Sequence, residues 1–129
     1  MKTSSKISCL AAAALLSACG GGSDSTVACT TQVVAGLRIQ VLDRTSGSPI
    51  SCGASATVTA PGYSRTVDNP AGPTCSNATV LTAADERTGT YAITVTKSGY
   101  LPFSTSNVVV TADECHVRTV DVEARLTPG

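Results

Sequence analysis

Gly89-Thr90-Tyr91-Ala92-Ile93-Thr94-Val95-Thr96 sets Tyr91, Ile93 and Val95 on one side and Ala92, Thr94 and Thr96 on the other. A period of two places successive side chains on opposite faces of an extended chain, so this stretch reads as a strand with one face buried and one wet. Ser98-Gly99-Tyr100-Leu101-Pro102 closes it with turn chemistry. Working outward, the same period recurs. Leu37, Ile39 and Val41 alternate with Arg38 and Gln40, and Ala54, Ala56, Val58 and Ala60 alternate with Ser55, Thr57 and Thr59. Val120, Val122, Ala124 and Leu126 alternate with Thr119, Asp121, Glu123 and Arg125, while Arg118 falls on the apolar phase, so that strand starts irregularly or only after it. Val108-Val109-Val110 is a continuous apolar run that assigns no face. Arg44 to Pro49, Pro61-Gly62 and Asn69-Pro70-Ala71-Gly72-Pro73 separate the pieces. No helical periodicity occurs after residue 28. About seven short strands at this spacing predict an all-β, Ig-like Greek-key sandwich in a single domain.

The N-terminal residues follow different rules. Lys2 and Lys6 precede an apolar run from Ile7 to Leu16, too short to span a ~30 Å hydrocarbon core. Leu16-Ser17-Ala18-Cys19 then resembles the lipobox of bacterial lipoproteins, in which the cysteine thiol receives the lipid and cleavage occurs just before it. The resemblance implies a signal peptide over residues 1–18, lipidation of Cys19, and a membrane partnership through that anchor. Each buried CH₂ contributes about 0.8 kcal/mol, so two or three acyl chains hold a protein durably on a bilayer. Gly20 follows the cysteine where the enterobacterial retention signal would be Asp, which points to the outer membrane, facing the periplasm or the outside. Residues 19–28 read as the lipidated Cys19 and a Gly/Ser-rich tether; the nine residues 20–28 reach about 15–18 Å root-mean-square. Residues 29–129 are left as the folded domain.

Charge excludes some functions. The chain carries nine Lys plus Arg and nine Asp plus Glu. Lys2 and Lys6 belong to the signal, so the remainder is slightly acidic, with no footprint for nucleic acid.

The chain has six cysteines. The lipobox resemblance implies that Cys9 leaves with the signal and that Cys19 is acylated, so Cys29, Cys52, Cys75 and Cys115 remain. Four cysteines in an exported chain imply two disulfides, in any of three connectivities. A Cys₄ zinc site would need closely spaced C-x₂₋₄-C pairs, and there are none.

Gly36 to Asp43, Gly47-Ser48-Pro49-Ile50, Ala54 to Val58, Gly89 to Val95 with Gly99-Tyr100, and Val120 to Pro128 together resemble carboxypeptidase regulatory-like domains, and are similar to transthyretin. The likeness covers about residues 33–128. It implies a sandwich whose first and last strands lie side by side and parallel. On that arrangement Cys29 meets Cys115, each just ahead of one of those strands, and Cys52 pairs with Cys75. Structural duties follow for single residues: Pro49 presets φ for the second strand, Gly99 supplies a positive φ, and Tyr91 buries its ring with its hydroxyl bonded at a corner.

Chemistry is sparse. His116 is the only histidine and reads as a surface residue beside a bridged cysteine. No G-x-S-x-G elbow occurs and no free cysteine is left as a nucleophile. Hydroxyisourate hydrolases, the enzymatic relatives of transthyretin, use several histidines and a C-terminal Tyr-Arg-Gly-Ser, whereas this chain ends Leu126-Thr127-Pro128-Gly129. The isopeptide bonds of similar adhesin sandwiches need a lysine in the first strand, and Lys97 is the only lysine after the signal. Asp85-Glu86-Arg87 reads as a solvated turn rather than a calcium site, which needs six or more convergent oxygens. The expectation is therefore a non-catalytic interaction or structural module of the envelope, without cofactor or metal, acting on an unidentified envelope protein. The alternative is a carbohydrate or peptidoglycan-fragment binder that uses Tyr63 or Tyr100.

Overall fold

The computed structural model describes residues 27–129. The expected signal peptide, Cys19 and the expected tether up to residue 26 lie outside the described residues. Seven strands follow in order: β1 (Ala35–Asp43), β2 (Ala54–Ala60), β3 (Tyr63–Asn69), β4 (Leu81–Asp85), β5 (Gly89–Thr96), β6 (Phe103–Val110) and β7 (Val120–Leu126). They form two sheets, β4-β1-β7 and β3-β2-β5-β6. Together these make an all-β sandwich. β1 and β7 run parallel, with Leu37 opposite Val120 and Val41 opposite Ala124; the remaining strand pairs are antiparallel.

Alternation places the core where the sequence put it. Leu37, Ile39 and Val41 of β1, Ala54, Ala56 and Val58 of β2, and Tyr91, Ile93 and Val95 of β5 are all buried. In β7 Ala124 and Leu126 are buried, Val120 and Val122 are half-buried, and the strand begins after Arg118. The Val108–Val110 run resolves into a buried Val110, a half-buried Val108 and a Val109 that is 55% exposed.

Two strands, β4 and β3, carry no clear two-residue period in the sequence. Ahead of β4, the Ser76 hydroxyl accepts the Ala78 N–H and the Ser76 carbonyl accepts the Thr79 N–H. In β4 itself, Leu81, Ala83 and Ala84 are all buried. Adjacent Ala83 and Ala84 break the two-residue period because Ala84 adopts a left-handed φ of 58°. Gly36 makes this possible. It lies across from Ala84, between the register pairs Ala35–Asp85 and Leu37–Ala83. A Cβ on Gly36 would sit 2.7 Å from the Ala84 carbonyl oxygen and 3.1 Å from Val110 Cγ1. β3 is an edge whose residues are all half-buried or exposed, so its pattern carried no strong period.

Core side chains are small. Five alanines take part, and Tyr91 is the only fully buried aromatic among the described residues. A core of this kind buries little apolar area per residue, and cross-links then carry a larger share of stability. Cys29 is bonded to Cys115 (Cα–Cα 5.3 Å) and Cys52 to Cys75 (5.9 Å). The parallel pairing of β1 with β7 explains the first bridge: the chain enters both strands at the same end of the sandwich.

Candidate functional site

That end of the sandwich also gathers the polar side chains. Thr111 to Arg118 turns back on itself between β6 and β7: the Arg118 N–H donates to the Thr111 carbonyl at 2.7 Å, and the Asp113 N–H to the His116 carbonyl at 2.9 Å. Asp113 Oδ1 accepts the N–H groups of Cys115 (2.8 Å) and His116 (2.9 Å). These two donors, the His116 amide foremost, hold the Asp113 carboxyl below its ordinary range. Asp113 thereby fixes the backbone that presents the imidazole.

Glu86 reaches the same place from the β4–β5 turn. Its backbone has a φ of 49°, so two non-glycine residues within three positions, Ala84 and Glu86, are left-handed. Such conformations cost roughly 1–2 kcal/mol each and persist only where surrounding contacts enforce them. Here the contacts are plain. The Glu86 N–H donates to the Val34 carbonyl (2.8 Å), and Oε2 accepts the Val34 N–H (2.9 Å). Oε1 accepts the Val117 N–H at 3.2 Å, and Oε2 lies 2.6 Å from His116 Nδ1. Burial pushes the Glu86 carboxyl up, but His116 and the two backbone donors outweigh it and leave it below its ordinary value. The folded state therefore favours the carboxylate. This contribution is present above the usual carboxylate range and is lost as pH falls through the lowered value.

The far side of the ring is also engaged. Thr30 Oγ1 lies 2.9 Å from His116 Nε2. Thr30 directly follows Cys29, and His116 directly follows Cys115, so the disulfide sets hydroxyl and imidazole beside each other. An open groove of about 440 Å³ runs past them, lined by Thr30, Gln32, Val33, Glu114, His116 and neighbouring residues. Among the described residues no group of three His, Cys, Asp or Glu side chains converges as a metal site.

Next to this cluster, the β4–β5 turn is braced from below. Tyr91 donates its hydroxyl to the carbonyls of Arg87 (2.9 Å) and Thr88 (3.3 Å), and burial raises its pKa. Tyr63 stands edge-on to Tyr91 with centroids 5.7 Å apart, accepts the Ala84 N–H on its hydroxyl at 2.9 Å, and lies under the Arg87 guanidinium. Tyr100 donates to Asp43 Oδ2 at 2.8 Å. Both tyrosines considered for sugar stacking thus have their hydroxyls committed within the fold and their rings half-buried. Lys97 is spent on the Cys52 carbonyl.

The sequence singled out His116 and Glu86 separately, the first as a surface residue and the second as part of a solvated turn. The structure brings them together and adds Thr30, which sequence reasoning missed. No local motif could have found the set, because its members lie far apart in the chain. The one available signal was that Thr30 and His116 each follow a cysteine.

Outside this end, the strand edges differ in how they are guarded. β3 carries Arg65 and Asp68, β4 is short and ends in Asp85, and β7 carries Asp121, Glu123 and Arg125 with Pro128 behind it. β6 (FSTSNVVV) has no charge and no proline. Its one irregularity is a register shift against β5 between Tyr91 and Ile93, near Asn107 with its left-handed φ of 59°. Beyond that shift Val109 stands 55% exposed. Comparison of the chain with protein-family models and with curated proteins finds no match to either.

Proposed function

We propose that the chain is a lipid-anchored module of the bacterial envelope, with a sandwich of the carboxypeptidase regulatory-like type that binds another envelope protein without catalysing a reaction. The lipobox at Leu16–Cys19 supports the anchor and the outer-membrane address. The strand order, with β1 and β7 parallel neighbours, agrees with the domain likeness read from the sequence.

The observation that carries the binding reading is the β6 edge. Sheet edges present unpaired N–H and C=O groups, and folded proteins ordinarily blunt them with charge, proline, short length or a bulge, of which β6 has only the irregularity near Asn107. β6 is eight residues long and lacks charge and proline, whereas the other three edges carry charged residues. An uncharged edge with an exposed valine suits the addition of an extended strand from a partner, whose main chain supplies the hydrogen bonds.

The test is site-specific photo-crosslinking in cells. A crosslinker at Val109 is expected to trap one envelope protein, and the same crosslinker at Glu123 on β7 is not. Ser106→Lys, which adds charge to β6 at an exposed position, should reduce the Val109 crosslink at least tenfold while leaving the fold intact by circular dichroism. Equal trapping from both strands, or none from Val109, would refute the β6 reading.

A further inference from the structure

Thr30, His116 and Glu86 stand in the order hydroxyl, imidazole, carboxylate. An ionised carboxylate only accepts hydrogen bonds, so the 2.6 Å contact from Glu86 Oε2 to His116 Nδ1 places the ring proton on Nδ1. In the neutral ring Nε2 is then an acceptor, and its partner at 2.9 Å is the Thr30 hydroxyl. A nucleophile touching a base, with the base oriented by a third group, is the arrangement that activates hydroxyls for attack on carbonyl carbon. The orienting group is itself fixed, since two backbone N–H donors hold the Glu86 carboxylate. The base is fixed through the Asp113 turn, and the Cys29–Cys115 disulfide ties nucleophile to base. Two left-handed residues, Ala84 and Glu86, lie in the segment that delivers the carboxylate, and strain of this kind collects where geometry serves function. The groove beside Thr30 leaves room for a ligand to approach.

We propose that Thr30 is an acyl-accepting site, modified by activated carboxylic esters or thioesters with His116 as general base and Glu86 as its positioning residue. The Thr30 Oγ–carbonyl carbon bond forms and the bond from that carbon to the leaving oxygen or sulfur breaks. The hydroxyl proton passes to His116 Nε2 and from there to the leaving alcohol or thiol. The protonated ring rests against the Glu86 carboxylate during the transfer. The product is an ester on Thr30, a covalent attachment made once per chain. It involves none of the β6 residues, so it is independent of the binding reading.

The experiment treats the purified, disulfide-intact full chain with 4-nitrophenyl acetate and maps the products by peptide mass spectrometry. The expected result is one acetyl group on Thr30, released by hydroxylamine as an ester should be. Thr30→Val should abolish it. His116→Gln should slow it about 100-fold, in the range that positioned general bases supply. Glu86→Gln should slow it at least tenfold and Glu86→Asp should recover part of the rate, a rescue that a purely structural role would not give. Thr30 is exposed, so Thr30→Val should keep the native disulfide map. Acetylation confined to lysines, cysteine thiols and amino termini, or a Thr30 rate unchanged in His116→Gln, would overturn the proposal.

Discussion

Replacing Cys29 and Cys115 together by alanine is expected to lower stability by about 4–5 kcal/mol, the largest effect of any surface change in this chain. The bridge joins residues 86 apart in sequence, so its removal frees nearly the whole folded chain in the unfolded state. In the chain-entropy account the cost grows with the logarithm of that loop, so the Cys52–Cys75 bridge, with a separation of 23, should contribute less, about 3 kcal/mol. Urea unfolding of the two double variants checks both the size and the order. A loss under 1 kcal/mol for the Cys29–Cys115 pair would show that the β1–β7 pairing holds that end unaided. The variant should also loosen Thr30 from His116, because the segment before β1 would then be held by the Glu86–Val34 hydrogen bonds at its far end and by the Thr30–His116 contact itself.

The second large effect is expected at Tyr91. It is the only fully buried aromatic among the described residues, and it lies between the β5 core and the turn that delivers Glu86. Tyr91→Ala should cost about 3–5 kcal/mol, the range for truncating a fully buried aromatic and leaving a cavity. Tyr91→Phe keeps the ring but removes the donor to the Arg87 and Thr88 carbonyls, and about 1–2 kcal/mol is expected. Thermal unfolding by circular dichroism measures both. Equal losses in the two variants would place the stabilisation in the hydroxyl rather than in packing.

Strands that bury one face and wet the other were legible residue by residue. Leu37, Ile39, Val41, Tyr91, Ile93 and Val95 all went inward, because a two-residue period admits only one register against a core. β4 was not legible. Its inward pair Ala83–Ala84 depends on a left-handed residue, and that residue depends on Gly36 across the sheet, a tertiary condition no local pattern encodes. β3 was obscured for another reason: as an edge it buries too little to impose alternation. The cluster at Thr30, Glu86 and His116 was hidden by distance along the chain. It exists because β1 pairs with both β4 and β7, which brings three separate connections to one end. A solvated turn and a surface histidine were reasonable readings of each residue alone. Their meeting at 2.6 Å changes the chemistry of both.

The anchor on Cys19 is the premise of the envelope account, and metabolic labelling with palmitate tests it most directly. The account predicts label in the wild-type chain and none in Cys19→Ser, which should accumulate as the uncleaved precursor. An unlabelled wild-type chain, or a Cys19→Ser chain processed and membrane-bound as before, would contradict it.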